Sequence, residues 1–126
     1  MEIGFVGLGR MGGNMVRRLS RFGHHCLIHS SSSASREALA AETGAIARAS
    51  LVELVKSLAT PHRVWVMVPA GPATLDVIDE LITLCEPGDT IIDGGNSHFK
   101  QTVTLAGKGA AAGIDLVDCG TSGGVF

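Results

Sequence analysis

Three glycines near the amino terminus, Gly7, Gly9 and Gly12 of "GLGRMG", stand at the spacing that lets a backbone wrap a phosphate. Between a strand and a helix, the first permits a tight turn and the second lets the backbone approach a pyrophosphate. The third allows close strand–helix packing while the helix N-terminus faces the anion. A turn made glycine-rich only for packing is the competing reading. The flanking sequence, an apolar strand before and an amphipathic helix after, favours a nucleotide. Gly7, Leu8, Gly9, Arg10, Met11 and Gly12 are therefore expected to hold a dinucleotide coenzyme, NAD or NADP.

Such a site needs a group that reads the adenosine ribose about 20 residues further on, and an acid there would select NAD. Ser30, Ser31 and Ser32 of "IHSSSSAS" stand at that place instead. Without a carboxylate, nothing repels a 2′-phosphate. Serine hydroxyls can donate to phosphate oxygens, and Arg36 is near enough in sequence to add charge. An ordinary polar loop explains the same residues equally well. The balance favours NADP slightly, with NAD or dual use close behind, because no arginine directly follows the strand.

Two further glycine pairs carry polar side chains. In "DGGNS", Asp93 to Ser97, Asn96 offers one acceptor and two donors, suited to holding a hydroxyl and a carboxamide together. A turn in which Asn96 or Ser97 caps the next helix accounts for it as readily. In "TSGG", Thr121 to Gly124, a hydroxyl lies beside two backbone N–H groups that could form a nest for a carboxylate or small anion. No base lies near Ser122 in sequence, so positioning is expected there rather than covalent chemistry. The five histidines, His24, His25, His29, His62 and His98, lack zinc-like spacing with cysteines or one another, and no metal site is expected.

The elements that must position these loops follow from hydrophobic periodicity. Strands are expected at 2–6, 25–29, 63–68, 90–93 and 114–119. Helices are expected at 11–22, at 35–42 with a stop near Gly44, and at 50–59 with Ser50 and Glu53 as a capping box and Pro61 beyond. A further helix runs from Thr74 to about Cys85, and a weaker one, diluted by Gly107 and Gly109, covers 98–112. Trp65, inside the continuous apolar run "RVWVMV", reads as core. Strands alternating with helices describe an α/β fold, a doubly wound, mostly parallel Rossmann-type sheet with helices on both faces. Gly7 to Gly12, Ser30 to Ser32, Val68 to Gly71, Gly94 to Ser97 and Ser122 to Gly124 each follow a strand, where ligands of such sheets gather.

Composition removes other classes. Ten Lys and Arg against twelve Asp and Glu in 126 residues give a net charge of −2, which offers no field for nucleic acid or an anionic membrane. Cys26, Cys85 and Cys119 are odd in number and widely spaced, as in a reducing compartment. The start "MEIGFVGLG" has no basic segment followed by a long apolar block, so a soluble cytoplasmic protein of one domain is expected.

"GLGRMG", "VPAG", "EPGDTIIDGGNS" and "GTSGG", in this order and spacing, resemble the N-terminal coenzyme domain of the 6-phosphogluconate dehydrogenases, in their shorter-chain bacterial branch. The resemblance covers essentially all 126 residues, and "IIDGGNS" is its most specific string. It implies NAD(P)-dependent oxidative decarboxylation of 6-phosphogluconate, a sugar-acid phosphate, to ribulose 5-phosphate, in the pentose phosphate pathway and gluconate utilisation. It also implies that Gly7 to Gly12 hold the pyrophosphate, Ser30 to Ser32 the ribose, and Val68, Pro69 and Ala70 the coenzyme near its nicotinamide. Asn96 would touch coenzyme and substrate, and Ser122, Gly123 and Gly124 the sugar-acid end. The family's catalytic lysine and glutamate lie on a helical domain expected to begin after Phe126. These 126 residues are thus expected to bind coenzyme without turning over, in a full-length protein that is a homo-oligomer. The alternatives are a β-hydroxyacid dehydrogenase of 3-hydroxyisobutyrate type, which shares the first and last motifs, and a non-catalytic NAD(P)-binding module.

Overall fold

Among the described residues, short apolar runs bounded by glycine or proline become six strands: β1 (Glu2–Val6), β2 (His25–His29), β3 (Ile46–Ala47), β4 (Arg63–Val66), β5 (Thr90–Asp93) and β6 (Asp115–Asp118). They form one sheet in the order β3-β2-β1-β4-β5-β6, with every pairing parallel. The computed structural model describes residues 1–68, 72–94 and 107–118. Four helices connect the strands: α1 (Arg10–Arg21), α2 (Ser33–Thr43), α3 (Leu51–Ser57) and α4 (Pro72–Leu84). Residues 107–111 are also helical, which is the described part of the weak helix expected at 98–112.

Side-chain alternation along the strands divides the core in two. Ile3 and Phe5 of β1 and Cys26 and Ile28 of β2 pack with Val16 of α1 and Leu39 of α2 on one face. Val6, Leu27, Val64 and Val66 pack with Leu54 of α3 and Ile78 and Leu81 of α4 on the other. Each fully buried side chain of this size stabilises the fold by about 1.5–3 kcal/mol relative to exposure. Trp65 is half-buried and stacks on Phe5 with ring centroids 6.2 Å apart, in keeping with a core role. Because the helices change face between β1 and β4, strand order reverses there, and a crevice opens at the carboxyl ends of those two strands.

The register sets what surrounds that crevice. Val6 lies opposite His29 on one side and Val66 on the other, Val66 opposite Asp93, and Asp93 opposite Asp118. The strands β1, β2, β4, β5 and β6 therefore end in one row, and the segments that follow leave the sheet at a common edge.

Several boundaries moved for local reasons. α2 begins at Ser33, not residue 35, because Ser32 caps it, its hydroxyl accepting from the Ser35 N–H at 3.2 Å. It stops at Gly44 in the left-handed conformation, φ 81°, as the sequence indicated. At α3, Ser50 accepts from the Glu53 N–H, and the Glu53 carboxylate reaches back to the Ala49 N–H, one residue beyond the usual capping box. α3 ends at Ser57, not 59, where the chain turns extended at the buried Leu58. β4 stops at Val66, two residues short of the expected end. α4 starts at Pro72, since proline suits a first helical turn. The two-residue β3 was not expected, being too short to show alternation.

Candidate functional site

The turn after β1 is built by glycine where side chains have no room. Gly7 has φ +94°, and a Cβ there would lie 2.7 Å from the backbone of Met67 and Val68. A Cβ on Gly12 would strike the Gly7 carbonyl oxygen. The β1 turn, the start of α1 and the end of β4 are thus drawn together backbone to backbone. Gly9 differs: its φ is an ordinary −68°, and a Cβ there would meet nothing within 4 Å. It is the N-cap of α1, whose first turn carries no acid, while Arg18 and Arg21 sit in the last turn. This end of α1 presents unpaired N–H groups and the positive end of the helix dipole to open space.

The serine loop faces it. Ser30 donates to the Ser32 carbonyl at 3.1 Å, Ser32 caps α2, and the Arg36 side chain folds back so that Nη1 donates to the Ser30 carbonyl at 2.8 Å. Gly7 N–H donates to the His29 carbonyl at 2.9 Å, which ties the glycine turn to the end of β2.

A cleft of about 640 Å³ lies between these loops. All six residues of the glycine loop line it, together with Ser30, Ser31, Ser32 and Val68, so ten of the expected coenzyme residues come together. Pro69, Ala70, Asn96, Ser122, Gly123 and Gly124 lie outside the described residues. Among the described residues the cleft's lining has no carboxylate, and its apolar area comes in part from Leu51 and Val77, at or near the starts of α3 and α4. These two residues, and Ser35, Met67 and His29, were not singled out from sequence. His29 could have been found as the last residue of β2; its Nδ1 donates to the Arg48 carbonyl at 2.9 Å. Gly94 gains its own reason: a Cβ there would lie 2.6 Å from the Trp65 indole nitrogen, so this glycine is required by packing.

The opposite edge of the sheet holds a second polar cluster. His62, Cys85 and Asp89 bring potential metal-binding atoms within 4.8 Å of one another, which sequence spacing did not suggest. Hydrogen bonding accounts for the arrangement. Asp89 accepts from the His62 N–H at 2.7 Å, from the His62 ring at 2.6 Å and from the Glu86 N–H at 2.6 Å. Burial alone would raise the Asp89 carboxyl, but these donors outweigh it and hold the group below its ordinary range. Burial, reinforced by the Asp89 charge, pushes the Cys85 thiol up to about 12. The cluster fastens the turn before β5 to the start of β4 and lies away from the cleft.

A family model described as the NAD binding domain of 6-phosphogluconate dehydrogenase matches residues 2–126. The chain belongs to that family. The NAD(+)-dependent decarboxylating 6-phosphogluconate dehydrogenase of Haloferax volcanii is 42% identical over 124 residues, covering 98% of this chain and 40% of that relative. The chain thus spans less than half the length of this relative. Among solved structures, Plasmodium falciparum 6-phosphogluconate dehydrogenase, a study including its complex with NADP+, superposes with a TM-score of 0.83 at 24% identity, covering 92% of this chain and 26% of that one. Mycobacterium tuberculosis 3-hydroxyisobutyrate dehydrogenase gives 0.80 at 22% identity, covering 93% and 39%. The fold is therefore shared with a 3-hydroxyisobutyrate dehydrogenase, and the family match, not the fold, separates the two. Among the described residues no helix is long and apolar enough to cross a membrane.

Proposed function

We propose that residues 1–126 form the coenzyme-binding domain of an NAD(P)-dependent dehydrogenase that converts 6-phosphogluconate to ribulose 5-phosphate with loss of carbon dioxide. The observation that carries this reading is the convergence of the glycine turn and the serine loop on one cleft, with no carboxylate among its described lining residues and Gly9 open toward it. The N-terminus of α1, where backbone N–H groups and the helix dipole favour an anion, would hold the pyrophosphate. Ser30 to Ser32 would hold the adenosine ribose, and Leu51 and Val77 would offer the adenine an apolar wall. Val68, Pro69 and Ala70 would hold the coenzyme near its nicotinamide, the group that would supply hydride acceptance. Asn96 holds coenzyme and substrate together, and Ser122, Gly123 and Gly124 hold the sugar-acid end.

The reaction needs a base for the substrate hydroxyl and an acid that returns a proton to the enediol. In this reading both belong to a separate helical domain, so residues 1–126 bind coenzyme and do not turn over by themselves. The full-length protein is a soluble cytoplasmic homo-oligomer. Calorimetric titration with NAD and NADP tests the binding half: saturable binding of at least one is expected, and silence toward both contradicts it. Assay of the full-length enzyme tests the substrate, since oxidation of 3-hydroxyisobutyrate with no activity on 6-phosphogluconate would overturn the assignment.

A further inference from the structure

The chain that leaves β4 is tied to its neighbours as far as Met67. Met67 N–H donates to the Val6 carbonyl at 2.7 Å, and Gly94 N–H donates to the Val66 carbonyl at 2.9 Å. On the glycine-turn side, a Cβ on Gly7 would lie 2.7 Å from the Val68 nitrogen, so this wall of the cleft has no slack there. The next residue is Pro69, which has no N–H with which the backbone could anchor itself. A side chain holds the Val68 carbonyl. Thr74, in the first turn of α4, is fully buried, and its Oγ1 donates to that carbonyl at 3.4 Å. A helical threonine commonly returns its hydroxyl to a carbonyl three or four residues back. Thr43 and Thr83 do so here, to Leu39 and Asp79. Thr74 reaches six residues back instead, to the strand end, because α4 begins only at Pro72. Valine has the same branched shape and would fill this position with no polar atom to satisfy, so packing alone does not call for threonine.

We propose that Thr74 is a positioning residue for the nicotinamide half of the coenzyme, acting through the Val68 carbonyl. The inference rests on the coenzyme reading above and deepens it by assigning a role to a side chain that does not itself line the cleft. A peptide unit is planar, so a donor that fixes the carbonyl fixes the plane in which Val68 continues into the chain beyond it. Val68 lines the cleft, and so does Val77, three residues after Thr74 on the same helix. The first turns of α4 thus carry an apolar part of the cleft wall and the hydroxyl that orients the neighbouring part, which couples the seating of the helix to the shape offered to the coenzyme.

The test is calorimetric titration of the full-length protein and of Thr74→Val and Thr74→Ser with NAD, NADP and 5′-ADP. The last carries the adenosine and both phosphates but no nicotinamide, so its affinity doubles as the control for folding. Thr74→Val should lose about fivefold toward whichever coenzyme the wild-type protein prefers, the weight of one neutral hydrogen bond, while 5′-ADP changes by less than about twofold. Thr74→Ser keeps the hydroxyl and should bind the coenzyme within about twofold of wild type. Unchanged coenzyme affinity in Thr74→Val, an equal loss toward coenzyme and 5′-ADP, or a loss in Thr74→Ser as large as in Thr74→Val would overturn the role of Thr74 and leave the coenzyme reading standing. Binding of neither coenzyme by the wild-type protein would overturn both.

Discussion

Alanine at Gly9 separates coenzyme binding from folding more cleanly than any other single change in the cleft. The position needs no glycine for the fold: φ is −68°, and a Cβ would meet no protein atom within 4 Å. The structural cost is then confined to the helix cap, where alanine is less favourable than glycine by about 1 kcal/mol or less. The cost to a ligand is larger. A pyrophosphate seated on the first N–H groups of α1 must pass close to this backbone, and a methyl group holds its oxygens off. Charge-assisted hydrogen bonds contribute about 1.5–3 kcal/mol each, so loss of one corresponds to roughly a 10- to 100-fold fall in affinity. Chemical denaturation and calorimetric titration of Gly9→Ala with NAD and NADP, side by side with wild type, provide the assay. Near-native stability with coenzyme affinity reduced at least tenfold is expected. Undiminished affinity would mean that nothing approaches the backbone at Gly9, and the placement of the pyrophosphate would be wrong.

Gly7→Ala should behave in the reverse manner. A left-handed φ costs a β-carbon about 1–2 kcal/mol, and the clash with the backbone of Met67 and Val68 adds to it, so a loss of roughly 3 kcal/mol or more is expected by denaturant midpoint. Asp89→Asn should cost roughly 3 kcal/mol at neutral pH by removing the charge from a buried hydrogen-bonded cluster. Because the Asp89 pKa is lowered on folding, its contribution is present above the ordinary carboxyl range near pH 4 and lost as pH falls through the lowered value. Acid titration followed by circular dichroism should show a shallower acid limb for the variant, and identical limbs would refute the linkage. In the full-length enzyme, Asn96→Ala should lower turnover on 6-phosphogluconate while leaving affinity for the adenine end nearly unchanged, and unaltered turnover would remove the role proposed for Asn96.

The alternation of elements was legible because its signals are local. Runs such as "EIGFV" and "RVWVMV" are bounded by glycine or proline, and Ser50 with Glu53 marks a helix start. The glycine loop was legible for the same reason, since three residues in six carry its geometry. What could not be read arises from pairing across the chain. β3 is two residues held by Leu27 and Ile28 of the neighbouring strand, and its own sequence shows no period. Leu51 and Val77 look like ordinary helix residues until the sheet places them over the crevice. The serines proved to be two things at once, a loop that lines the cleft and the cap of α2, and only the cap's position showed that Arg36 turns back onto Ser30. The cluster of His62, Cys85 and Asp89 spans 27 residues between its histidine and its carboxylate, a separation at which sequence spacing says nothing.

The central claim is that a dinucleotide lies across the glycine turn and the serine loop. Backbone amide chemical-shift mapping of the protein on titration with NADP tests it most directly. Saturable perturbations are expected, concentrated at Gly7 to Gly12 and Ser30 to Arg36, with His62 and Asp89 at the opposite edge unmoved. Perturbations centred on that edge, or none at the two loops when the coenzyme is saturating, would contradict it.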